Sequence, residues 1–141
     1  MRGRQVFLSH ASEDRRLATR LASMLERHRV SVWYSATALR GSEEWQSEIG
    51  RALASCRWFL LIATPAACRK PKGRPWWVQR EVLYALNSSR YEGRVVPLQM
   101  GDAQVAKLSW YLPQIQYIDF RPDYHEGCAV LLRTWNKRYR R

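Results

Sequence analysis

Acidic residues are scarce in this 141-residue chain: twelve Asp and Glu face twenty-four Lys and Arg, giving a net charge of +12 and a pI near 10.4. That excess draws anionic partners, whether nucleic acid, phosphates or acidic surfaces, without choosing among them. Cysteine is scarcer still. Cys56, Cys68 and Cys128 form an odd, widely spaced set with no C-x-x-C pair and no histidines at metal-ligand spacing, which argues against a disulfide scaffold and a zinc site. No metal is expected. Long apolar runs are also missing: the longest, WFLLIA at 58–63, is far short of a membrane span, and the N-terminal MRGRQVFLSH has no stretch long enough for a signal peptide. A reducing cytoplasm is the expected compartment, with no membrane partner. The sequence has no G-x-G-x-x-G, no G-x-x-x-x-G-K-[ST] and no G-x-S-x-G, which weakens dehydrogenase, kinase and hydrolase readings built on those motifs.

What is present favours a folded chain. Hydrophobic residues make up 46%, with seven Trp and seven Tyr, enough to fill a core despite the charge. The length suits a single domain over 1–141, with a core over about 4–122 and a C-terminal helix and basic tail over 123–141. Apolar strands alternate with amphipathic helices, the pattern of a parallel α/β sheet. A first strand is predicted over 5–9. Ser12 follows as a helix N-cap with Glu13 and Asp14 in the first turn, and Leu17, Leu21, Met24 and Leu25 recur at helical spacing to an end near Arg29. VSVWY at 30–34 alternates like a half-exposed strand. Ser42 then caps a helix whose buried stripe is Trp45, Ile49, Ala52 and Leu53.

Residues 58–63 are apolar throughout, as in a central strand covered on both faces. A basic loop over 65–75 leads to a helix opening with Trp76, Trp77 and Val78. Further strands are predicted at 95–98 and 115–120, and a last helix over 129–139, where Trp135 and Tyr139 at i and i+4 pack onto the sheet; 101–114 fits no single element. Five parallel strands with right-handed crossovers most simply give a flavodoxin-like three-layer α/β fold in the order 2-1-3-4-5, flanked by helices. Such a sheet binds ligands beyond its strand C-termini, here between Ser9 and His10 on one side and the 64–77 loop on the other.

One carboxylate sits in an odd place. With about 100° per residue and Trp77 at zero, Glu81 falls near 40°, inside the arc formed by Trp77, Ala85, Val78, Val82 and Leu86. A charge there must pair, protonate or face a cavity. Arg80, Arg51 or Arg57 would supply a structural ion pair; a functional role is the other reading.

Three stretches resemble a known family. VFLSHASEDRRLATRLASMLERHRVSVWYS, GSEEWQSEIGRALASCRWFLLIATP and WVQREVLYAL, in that order over about 6–120, are similar to a bacterial-type Toll/interleukin-1-receptor (TIR) domain, whose fold is flavodoxin-like. The resemblance implies cleavage of NAD+, as substrate and with no cofactor, at its nicotinamide–ribose bond, by a glutamate in a W-x-x-x-E stretch. Here that stretch runs from Trp77 to Glu81, so the implied catalytic residue is the one the helical wheel singles out. Substrate-binding positions implied with it are Ser9, His10, Trp33, Arg40, Gly41, Trp45 and Trp77, the connection over 35–44 corresponding to the family's BB loop. Bacterial immune signalling, including defence against phage, activation by TIR–TIR self-association and a fused or partner sensor domain are likewise implied. The product is ADP-ribose or a cyclic isomer.

The chain departs from the family pattern at several points. Ser35 stands where many relatives close the second strand with an acid, Arg40-Gly41 replaces a Pro-Gly pair, and Ala11 and Ser12 replace basic residues. Phosphate binding then falls to Arg15, Arg16 or the loop at 69–74. Two rival readings are a TIR scaffold that signals by homotypic contact alone and a nucleic-acid module driven by the positive charge and the RTWNKRYRR tail, although nucleic acid is not the expected partner.

Overall fold

Strand and helix alternate as β1 (Val6–Ser9), α1 (Arg15–Arg27), β2 (Val32–Tyr34), α2 (Glu43–Ser55), β3 (Trp58–Ala63), α3 (Trp77–Leu86), β4 (Val95–Gln99), β5 (Ile118–Asp119) and α4 (Tyr124–Leu132). This computed structural model describes residues 5–34 and 43–141, the side chains of 43–45 excepted. The strands form one parallel sheet in the order β2-β1-β3-β4-β5, with β1 and β3 aligned so that Phe7 lies beside Phe59 and Ser9 beside Leu61. Expected fold class and strand order both hold.

Side chains alternate across a strand, and that alternation sorts the core into two layers. Phe7, Phe59, Leu61 and Ala63 face α2 and α3, packing with Ile49, Leu53, Val78 and Val82. Val6, Leu8, Leu60 and Ile62 face α1 and α4, packing with Leu21, Leu25, Leu131 and Leu132. β3 is covered on both sides, which explains its unbroken apolar run.

The local departures from the sequence reading have identifiable causes. Ser12 opens a 3-10 turn (Ser12–Asp14) instead of capping α1, which begins one turn later. α1 stops at Arg27 because Arg29 adopts a left-handed φ of 65°, with Arg29 N–H donating to the Glu26 carbonyl and Val30 N–H to that of Leu25. The fifth strand, expected over 115–120, is confined to Ile118–Asp119, the two residues that pair with Leu98 and Gln99 at the end of β4. The last helix starts five residues earlier than expected, at Tyr124, because the Asp123 carboxylate caps it by accepting from the His125 and Glu126 amides. It ends at Leu132; Trp135 and Tyr139 still pack against the α1/α4 layer, but from a 3-10 turn and the extended segment after it. The expected cap at Ser42 lies outside the described residues.

Candidate active site

Ser9 is the last residue of β1 and shares the parity of Phe7, so its side chain turns towards the layer that holds α3. There its hydroxyl donates to Glu81 Oε1 over 2.6 Å. Both residues are buried, Ser9 at 1% and Glu81 at 3% relative exposure. The buried stripe of α3 consists of Val78, Glu81, Val82 and Ala85, as the helical wheel requires. A charge-assisted hydrogen bond of this length is the kind that offsets part of the cost of removing a carboxylate from water. Sequence reasoning identified both residues but not their contact.

Two side chains fix the crevice around this pair. Thr64, just past β3, donates its hydroxyl to Asp14 Oδ2 and accepts from the Ala67 amide at 3.2 Å, tying the β3 terminus to the turn that follows β1. Trp76 donates its indole N–H to the Ala67 carbonyl at 3.1 Å, which anchors the start of α3 to the same loop. Neither Asp14 nor Thr64 was singled out from sequence; Asp14 looked like an ordinary helix-start acid, and its partner lies fifty residues away.

A pocket of about 230 Å³ opens between the two walls. Ala11, Ser12 and Glu13 form one wall, and Arg69, Lys70 and Arg74 stand on the other. Trp76, Trp77 and Val78 from the start of α3 also line it, with Ala66, Pro71 and Pro75. Glu81 lies one turn further along α3 from Trp77, on the same helical face. The wall expected to consist of Ser9 and His10 is thus formed by the three residues after them, since both are themselves buried.

The other expected site residues scatter. His10 continues the alternation away from α3: its ring lies 6.1 Å from that of Tyr34, which packs against the α1/α4 layer, and its Nδ1–H donates to the Ala11 carbonyl at 2.8 Å. Trp33 is half-buried and stacks on Phe7 with ring centroids 4.9 Å apart, on the same side of the sheet as α3. Trp77 lines the pocket and carries the Arg80 guanidinium 5.2 Å from its ring centroid. Arg40 and Gly41 lie outside the described residues, as does the side chain of Trp45. Among the described residues, no three His, Cys, Asp or Glu side chains are grouped to hold a metal ion, and no helix is long and apolar enough to cross a membrane.

Chemically, the site offers one buried carboxylate with an assigned donor, an aromatic surface one turn away, and a cationic wall. Comparison with known proteins agrees with the architecture. The TIR domains in the structure of the activated Roq1 resistosome directly recognizing the pathogen effector XopQ match with a TM-score of 0.67 at 15% sequence identity, covering 94% of this chain and 99% of that one, a likeness of fold. No curated protein matches the sequence. The family model for the TIR domain matches residues 6–132, and the chain belongs to the TIR domain family.

Proposed function

We propose that this TIR domain is an NAD+ nucleosidase that works in bacterial immune signalling and is switched on by self-association. The observation that carries the reading is the burial of Glu81 at the sheet's switch point, held by Ser9 beside a pocket lined by Trp77. Hydrolysis of an ordinary glycoside requires an acid to protonate the departing oxygen. Nicotinamide needs none: the C–N bond breaks, its electron pair moves to the positively charged pyridinium nitrogen, and a neutral molecule leaves. A single carboxylate therefore suffices, stabilising the oxocarbenium-like ribose through its fixed negative charge. Water then adds to the ribose carbon and loses a proton, giving ADP-ribose, or an adenine nitrogen adds in its place, giving a cyclic isomer.

The test is incubation of assembled wild-type protein with NAD+ in heavy-oxygen water. Release of nicotinamide supports the reading, and heavy oxygen in the ribose product distinguishes hydrolysis from cyclisation. Absence of nicotinamide from protein that demonstrably self-associates would instead establish a scaffold acting through TIR–TIR contact alone.

A further inference from the structure

The β3–α3 loop carries four cations, Arg69, Lys70, Lys72 and Arg74, and only three of them, all but Lys72, line the pocket. Among the described residues, no carboxylate pairs with Arg69 or Lys70, whereas Arg74 reaches across the opening to Glu13 at 3.4 Å. That bridge joins the two walls. Its side chains are 54% and 52% exposed, so it contributes little to stability and is readily exchanged for a better anion. The first turn of α3, with no side chain capping it, faces the same space through Trp77 and Val78.

We infer that this pocket is a diphosphate subsite: Arg69, Lys70 and Arg74 take the two phosphates of a dinucleotide, and Glu13 holds Arg74 in the ligand's absence. The inference rests on the NAD+ reading for its choice of ligand. At about 230 Å³ the pocket falls below the roughly 300–1,000 Å³ that encloses a whole drug-sized ligand, so it takes part of one. Trp77 and Glu81 are four positions apart on the helix, about 6 Å along its axis. A diphosphate beside Trp77 thus lies about one helical turn from the buried Glu81, which does not itself line the pocket. Arginine forks bind phosphate oxygens in pairs, and two of the three cations are arginines.

The experiment is calorimetric titration of ADP-ribose, with inorganic pyrophosphate as competitor, into wild type and single variants. Arg69→Ala and Arg74→Ala should each weaken ADP-ribose binding about tenfold. Lys72→Ala removes the same charge from the same loop and should leave affinity unchanged. Glu13→Gln should tighten binding about twofold to threefold, because it frees Arg74 and removes a competing anion. Equal weakening by Lys72→Ala would reduce the effect to diffuse charge and overturn the subsite, as would undiminished binding by an Arg69→Ala/Arg74→Ala double variant of native circular dichroism. The two proposals fail separately. If wild type leaves NAD+ intact yet ADP-ribose binding follows this pattern, the subsite stands and the reaction falls; if nicotinamide is released but the loop variants bind as wild type, the reverse holds.

Discussion

Ser9 and Glu81 define the residue scale, because both are buried and joined by a 2.6 Å hydrogen bond. Removing one hydrogen-bond donor from a buried carboxylate costs on the order of 1–3 kcal/mol. Ser9→Ala should therefore lower stability by about that amount in urea titration. If the proposed chemistry holds, it should also lower kcat about tenfold to a hundredfold with a smaller change in KM, since a carboxylate without the Ser9 hydrogen bond is less well aligned with the transition state. Ser9→Thr, which keeps the hydroxyl, should recover most of both; full activity in Ser9→Ala would remove Ser9 from the mechanism. Much of this site was legible in the sequence. Helical periodicity alone placed Glu81 on the apolar face of α3, and β1 was recognisable with Ser9 at its end. The hydrogen bond was not legible, since it depends on how α3 lies over β1 seventy-two residues away. Trp33 shows the same limit, because period-2 alternation does not reveal that its ring stacks on Phe7.

Among the elements, the central strands were the easiest to read and the C-terminal third the hardest. β3 announces itself by six consecutive apolar residues with its bounds where expected. α4 was displaced because the sequence reading followed the apolar residues and overlooked Asp123, whose carboxylate fixes the first turn. Similarly, the end of α1 turns on Arg29 in a left-handed conformation that its residue type gives no reason to expect. Gly127 offers a test of how α4 is seated. A methyl group at that position would run into the Phe120 ring, which is itself buried at 5% exposure. Gly127→Ala should consequently destabilise the protein by about 1–3 kcal/mol, outweighing the helix-propensity gain of about 1 kcal/mol. A raised Tm in this variant would mean that α4 sits further from Phe120 than described.

For the whole molecule, the parallel topology followed from the order of patterns, whereas the way its edges are closed did not. The segment after α4 returns to the end of α1: Arg27 donates to the Arg140 carbonyl at 2.9 Å, the Arg140 amide donates to His28 Nε2 at 2.9 Å, and Tyr139 stacks on the His28 ring. The end of the helix expected over 129–139 is thus a strap without regular secondary structure after a 3-10 turn, held by contacts between chain positions more than a hundred residues apart. Burial also sets the response to alkali. It pushes the Cys68 thiol from 9.0 up to about 11 and raises Cys128, Tyr91 and Tyr124 as well. Each of these groups holds its proton more tightly folded than unfolded, so its contribution is complete below its unfolded value and is lost as pH rises towards the folded one. Urea midpoints should therefore fall between about pH 9 and about pH 11, and less steeply in Cys68→Ala. Relief of the +12 charge opposes this only weakly, because twenty of the twenty-four cations are arginines, which stay charged there. A midpoint that holds or rises across that window would contradict the burial of these groups. The central claim is that Glu81 is the group that breaks the nicotinamide bond, and its most direct test is nicotinamide release by wild type and Glu81→Gln compared at matched states of self-association. The account predicts steady release by wild type and a loss of about a hundredfold to a thousandfold in Glu81→Gln; equal release by the two proteins would contradict it.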